Sequence, residues 1–341
     1  MLRRFIEKSR KLMNISVGGG LDQSSIDAYR TSLLLKCHKW HQKIDNKNGN
    51  VQPSDDDVAG FYNDVQDMTN QEMREFSQKN LNCQVISLFE GIDECGLFPG
   101  TSRNEKHDRV LSKVDQLREH GDGEVESTER EEKLKSKALL EFVGFNLEAK
   151  KSQCSEDAGD GVYLRCKDDV VIPPGTVLGI FPGLVHLPEF TNKNDYVMEN
   201  LLPDPDFLLM VRSDGAIIDG RTAHECAPNP YALAHLTNHV PKGETPNVFQ
   251  FPYDFPADPL GIEEFPKILR KYVPNAYARS PTFFGTVDRS AYMRGMVLLA
   301  ARPLKNGEEL HMDYRLNPKD PHALPSWYHI CDEEAFQQRE D

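Results

Sequence analysis

From Ile26 the residues Tyr29, Leu33, Cys37, Trp40 and Ile44 recur at steps of three and four, which sets them on one stripe of an amphipathic helix. Ser24, Ser25 and Asp27 supply the short polar side chains that open helices. A second stripe runs through Val58, Phe61, Tyr62, Val65 and Met68 behind Pro53, Ser54 and Asp55, and a third through Val110, Val114 and Leu117. At this spacing Trp40 reads as core and not as part of a ligand box. Residues 1–119 are therefore expected to form a helical N-terminal region. His120 to Glu132, HGDGEVESTEREE, holds glycines and carboxylates with almost nothing apolar, which predicts a flexible acidic linker over 120–132. A connecting helix and loop, the helix ending near Phe145, follow over 133–155.

Past Val162 the pattern changes. Apolar residues fall in short clusters divided by proline and glycine: VYLRC, VVIPPGTVLGIFPGLV, FLLMVRSDGAIIDG and MVLLAARPL. Such clusters read as strands. Asn306-Gly307 is a turn signal between Met296–Ala301 and Glu309–Arg315, so a hairpin is expected there. On its second arm Leu310, Met312 and Tyr314 share one face, and His311 and Asp313 the other. The whole reads as α+β, a helical region followed by a β-rich domain over 156–317. An added stretch near 253–290 is rich in proline and aromatic residues and reads first as a packing insertion. The tail, 318–341, ends in DEEAFQQRED and reads as frayed surface.

Composition narrows the partners. The chain has 341 residues, 38% of them apolar and 28% charged, with a formal charge of -14. A net-negative chain lacks the cationic excess that neutralises phosphates, so direct nucleic-acid binding is not expected and a protein or basic peptide partner is. No apolar run reaches the length of a membrane-spanning helix, and no membrane association is expected. The first residues, MLRRFIEKSRKLM, are basic without the apolar stretch of a secretory signal. The expected location is intracellular, in cytoplasm or nucleus, with a mitochondrial presequence as the secondary reading. Seven widely spaced cysteines, with no C-x-x-C pair, read as reduced thiols, and no metal site is expected. The sequence does not set an oligomeric state.

The Walker loop, H-E-x-x-H, G-x-S-x-G and the kinase motifs are all absent from the chain. What it carries instead is an ordered series: Gly159-x-Gly161-Val162, Ile172-Pro-Pro-Gly-Thr176, Leu236-Thr-Asn238-His239, Pro246-Asn247 and Asn306-Gly-Glu-Glu-Leu-His-Met-Asp313-Tyr314. Over roughly residues 156–317 this series resembles the SET domain of protein methyltransferases. Within that family the likeness extends through Val211–Gly220, Lys271–Asn275 and Met296–Leu310 to members with a helical N-terminal half and no zinc modules.

The resemblance implies small curved sheets with a threaded pseudoknot, and S-adenosyl-L-methionine as cofactor. It implies that Gly159, Asp160, Gly161 and Val162 let the backbone approach the methionine part of that cofactor, and that Asn238 and His239 contact its amino-acid and adenine portions. Tyr314 is then the catalytic hydroxyl at the mouth of the methyl-transfer channel. Glu309 and Asp313 are expected to tie the chain together and not to act as acid and base.

Three departures from the family pattern stand out. The Asn-His-Ser-Cys-x-Pro-Asn element is longer here and lacks its cysteine. The cysteine-rich segment after the tyrosine is missing too, which leaves Trp327 and Tyr328 as candidates either for the wall of the substrate channel or for an anchor that packs the tail onto the domain. Where many relatives have Glu-Tyr-x-Gly-Glu, this chain has Ile180-Phe181-Pro182-Gly183-Leu184, putting an apolar ring, Phe181, in place of a channel hydroxyl. Transfer to a lysine of a protein substrate is the leading expectation. A non-catalytic peptide-binding or scaffold protein of the same fold, and transfer to another side chain such as histidine, are the alternatives.

Overall fold

A computed structural model of the chain describes residues 34, 68–95, 124–155, 158–188, 208–212, 214–257, 265–278, 291–314, 325 and 327–331. The stripes expected over 26–44, 58–68 and 110–117 lie outside these residues, apart from Leu34, which is helical and fully buried, and Met68. The basic N-terminal segment, the acidic tail, and 258–264 and 279–290 of the added stretch lie outside them as well.

Two helices are described. Helix α1, Asn70–Cys95, begins at a capping box. The Glu72 N–H donates to Thr69 Oγ1 at 3.2 Å, and the Thr69 N–H donates back to the Glu72 carboxylate at 2.7 Å. Two backbone donors that the helix cannot use are thereby satisfied. Its buried stripe is Met73, Ser77, Leu81, Val85, Leu88, Ile92 and Cys95, at steps of three and four. Helix α2 runs Glu124–Phe142, which corrects the expected linker over 124–132; residues 120–123 lie outside the described residues. Its first turns are the carboxylate-rich residues themselves, because straight-chain Glu, Arg and Lys lose little rotamer freedom in a helix. Past its end Gly144 takes φ +92, a backbone region that glycine enters without penalty.

The chain divides into two compact units: 78–238 with 246–312, and 1–77 with 239–245 and 313–341. The larger unit holds most of the strands. Strands β1, Phe145–Lys151, and β2, Asp160–Cys166, pair antiparallel from Phe145 opposite Cys166 to Lys151 opposite Asp160. A second sheet places β10, Ala291–Ala300, between β3, Val177–Ile180, and β8, Val248–Pro256. A third has the order β5-β6-β4-β9, from Leu209–Val211, Ile217–Asp219, Gly183–His186 and Asn275–Tyr277; its β4–β9 pairing is parallel. Two short strands remain, β7 at Asn238–His239 and β11 at His311–Met312. Mixed α+β architecture follows, and it is consistent with a SET-like fold.

The expected hairpin across Asn306-Gly307 takes a different form. Gly307 is in a turn with φ +82, but β10 pairs with β3 and β8. The segment after the turn lies along β2: the Leu164 N–H donates to Glu308 O at 2.9 Å and the Leu310 N–H to Val162 O at 2.7 Å. A turn signal sets a change of direction, while the partner is chosen by which apolar face the new segment covers. Leu310 is fully buried and Met312 5% exposed, with His311 between them on the more open side.

The core of the larger unit is aromatic. Phe89 of α1 meets Phe265 edge-on at 5.6 Å and Tyr272 at 6.0 Å, and Phe255 meets Phe265 at 5.1 Å. Edge-on pairs of this kind are favoured by the ring quadrupole. Hydroxyl ends find partners: Tyr253 donates to Asn82 and Tyr272 to Asp93, each at 2.8 Å. The residues from Tyr253 to Tyr272 that are described thus supply core, joined to α1. Among the described residues no helix is long and apolar enough to cross a membrane, and no disulfide joins the six described cysteines.

Candidate functional site

Strand β2 is buried continuously from Gly161 to Leu164, and its Tyr163 reaches Glu309 on the returning segment. Glu309 is 9% exposed. Its carboxylate accepts from the Ser152 hydroxyl at 2.6 Å, the Tyr163 hydroxyl at 2.7 Å, the Gln153 N–H at 3.0 Å and Asn238 Nδ2 at 3.4 Å. Burial pushes the Glu309 carboxyl upward, yet these donors and His311 prevail and hold it below the ordinary carboxylate range. Burial, followed by the bond to Glu309, lifts the Tyr163 phenol to about 12. Tyr163 is therefore a neutral donor throughout the physiological range.

The expected cofactor residues of this unit gather at the same place. Gly159 takes φ +69, and the Asp160 carbonyl accepts from Asn238 Nδ2 at 3.1 Å. Gly161 is buried, and a Cβ there would collide with the Glu309 carboxylate and come within 3.2 Å of Asn238 Nδ2. Close approach at Gly161 is thus made by Glu309. Val162 is fully buried and its carbonyl accepts from Leu310. Asn247 binds the returning segment at three points: Nδ2 donates to Glu309 O at 2.7 Å, Oδ1 accepts from the His311 N–H at 2.7 Å, and its own N–H donates to His311 O at 3.0 Å.

In the smaller unit His239 is the centre. Its Nδ1 accepts from the Tyr314 N–H at 3.3 Å and its Nε2 lies 2.9 Å from His329 O. Those two partners fix a neutral ring with the proton on Nε2. Tyr328 stacks on it at 4.6 Å and 27°, Tyr314 lies at 5.4 Å, and Trp327 at 6.3 Å. Tyr314 and Trp327 meet edge-on at 6.0 Å. Tyr328 is 8% exposed and Trp327 54% exposed. The structure thus brings Tyr314 together with His239, Trp327 and Tyr328.

Phe181 lies in the larger unit and is 2% exposed. Its N–H donates to Met296 O at 2.8 Å, and its ring stands edge-on to His235 at 6.3 Å. His235 carried no sequence signal. Burial drives its imidazole down from 6.5 to about 4, and among the described residues its buried Nδ1 has no hydrogen-bond partner. Ser152 and Tyr163 were missed as well: four consecutive residues of β2, Gly161 to Leu164, are buried, so alternation does not single out Tyr163, and no spacing marks Ser152. Among the described residues two groups could hold a metal ion, Cys154 with Glu309 and His311, and His239 with His329 and Cys331.

No family model matches the chain. It is similar to SET domain-containing protein 9 of Homo sapiens, 25% identical over 204 residues covering 52% of this chain and 60% of that protein. It is equally similar to SET domain-containing protein 9 of Pongo abelii, 25% identical over 204 residues, with 52% and 66% covered. These matches support a SET-domain relationship. The chain spans less than two thirds of the length of either relative. The SET-type motifs fall into two local arrangements, Asn238 with Asp160 and Glu309, and His239 with Tyr314.

Proposed function

We propose that this protein transfers methyl groups from S-adenosyl-L-methionine to a lysine side chain of a protein or basic peptide substrate. The observation that carries the reading is the contact of Asn238 with the Asp160 carbonyl at 3.1 Å, which joins two motifs 78 residues apart. The residues fit a cationic adenosyl ligand by type. Gly159 and Asp160 are exposed and offer backbone polar groups, and Asn238 offers an amide; His239 is assigned to the cofactor by its motif alone. Bound, the cofactor would supply an already activated methyl group on a positive sulfur.

What is left for the chain is alignment and control of one proton. A free lysine has a pKa near 10.4, so making it neutral at pH 7 costs about 4 to 5 kcal/mol. An apolar channel and a neighbouring positive charge both disfavour the ammonium, and no dedicated base is required. Tyr314 is assigned, by its motif, to hold the neutral amine through its hydroxyl. Trp327, Tyr328 and Phe181 are assigned to apolar channel walls. The acidic charge of -14 favours basic substrates.

A non-catalytic SET-fold scaffold is the second reading, and the filling of the space at Gly161 by Glu309 is in its favour. Calorimetric titration with S-adenosyl-L-methionine separates the two: heat of binding that is lost in Asn238→Ala is expected, and no heat in the wild type leaves the scaffold. Labelled cofactor on a protein extract then tests transfer, with Tyr314→Phe expected to lower it about a hundredfold. Equal transfer by the two proteins removes the role assigned to that hydroxyl.

A further inference from the structure

Three side chains of different chemistry converge beside β2 and belong to no step of methyl transfer. Cys154 Sγ lies 3.1 Å from His311 Nε2 and 3.9 Å from Glu309 Oε1, and His311 Nε2 lies 3.6 Å from the same Oε1. We propose that Cys154, Glu309 and His311 form a three-ligand site for a divalent transition ion, with zinc as the best fit.

Ion size supplies the first argument. Zinc bonds of about 2.3 Å to sulfur and about 2.0 to 2.1 Å to nitrogen and oxygen require tetrahedral edges of about 3.3 to 3.6 Å. The three measured separations bracket that range, so sub-ångström side-chain shifts close the site. Charge is the second: a thiolate, a carboxylate and a neutral imidazole carry two negative charges against a dication, with one position left for water or a fourth group. The ligand set, sulfur with nitrogen and oxygen, suits zinc better than calcium or magnesium. Binding breaks the Cys154 S–H bond, forms a metal–sulfur bond and releases one proton to solvent, without oxidation or reduction.

Support around the ligands is the third argument. Ser152, Tyr163 and the Gln153 N–H hold the Glu309 carboxylate, and Asn247 fixes the backbone on both sides of His311. The Ser152 hydroxyl also accepts from the Cys154 N–H at 3.1 Å. Outer contacts of this kind orient ligands before the ion arrives. The other group, His239 with His329 and Cys331, is the poorer candidate, since it has one thiolate and no carboxylate and so sets a single negative charge against the dication.

The test uses the full chain, stripped with chelator and titrated with cobalt(II), which reports thiolate ligation by a near-ultraviolet charge-transfer band. One equivalent of cobalt with that band, displaced by zinc, is expected. Cys154→Ser and His311→Gln abolish it, Cys331→Ser keeps it, and Ser152→Ala weakens zinc about tenfold in competition with a chromophoric chelator. A wild type without the band, or a band that survives Cys154→Ser, overturns the site. Circular dichroism checks each variant; if His311→Gln does not fold, Cys154→Ser, which keeps a polar group beside His311, decides the matter. No methyl-transfer readout enters, so this outcome is separate from that of the proposed activity.

Discussion

The knot around Glu309 and the ring cluster around His239 each sit at one of the two late motifs, and they are held by opposite means. At Glu309 a buried carboxylate meets four donors from three separate segments. At His239 a neutral ring meets the Tyr314 N–H, the His329 carbonyl and Cys331 Sγ, and aromatic faces lie around it, one of them on the largely exposed Trp327. Directional bonds to a charge fix one geometry, because every lost partner leaves a buried polar group unsatisfied. Stacked and tilted rings tolerate small rotations at little cost. Glu309 is thus held in one place, while the rings around His239 can rotate slightly at little cost.

Removing the anchor should give the largest effect. Glu309→Ala leaves the hydroxyls of Ser152 and Tyr163, the Gln153 N–H and the Asn238 amide without their acceptor, at about 1 kcal/mol each. A loss of about 3 to 4 kcal/mol is expected in urea unfolding, enough to threaten a domain of ordinary stability. Tyr163→Phe, which removes one donor, should cost about 1 kcal/mol. A Glu309→Ala protein as stable as the wild type would show that the knot is a bystander.

Much of this anchor could be read in the chain, and some could not. The clusters from Val162, Val177 and Met296 gave strands where strands stand, because buried β positions have a local signature. Asn238, His239 and Tyr314 were found by their order. Two elements escaped. The stripe from Met73 to Cys95 was not read, although its helical spacing stands in the sequence, while residues 124–132 form helix without an apolar run to announce it. The hairpin failed for a different reason: Asn306-Gly307 reports a local bend, but the choice of β2 over β10 depends on faces more than a hundred residues apart. Ser152 lies in the same class, since nothing near it in sequence marks it as a partner of Glu309.

Acid should separate a satisfied buried group from an unsatisfied one. Burial lowers His235 from 6.5 to about 4, so between those values the unfolded chain binds a proton that the folded chain refuses. Stability therefore falls as pH drops from 6.5 towards 4, by about 3 kcal/mol across the whole window. Glu309 behaves differently in place, not in sign: its pKa is lowered, so its stabilisation is complete above the ordinary carboxylate range and is lost only as pH falls through its folded value. Urea midpoints measured against pH should show the upper loss flattened in His235→Phe and retained in Glu309→Gln. A wild-type curve flat between 6.5 and 4 would mean that His235 takes its proton in the folded state.

The smallest effect belongs to the rings. Tyr328→Leu keeps an apolar side chain over His239 but removes the stacked face at 4.6 Å, and aromatic pairs contribute about 0.5 to 1.5 kcal/mol beyond their buried area. Trp327→Ala, at an exposed ring, should stay within about 0.5 kcal/mol. Because truncation also changes burial, the clean quantity is the coupling in a double-mutant cycle of Tyr328→Leu with His239→Ala, expected near 1 kcal/mol. A coupling as large as the Glu309→Ala loss would make the ring cluster a second anchor, with no freedom left to adjust to a bound molecule. A value near zero would mean that the stacked face of Tyr328 does not help to hold the His239 ring.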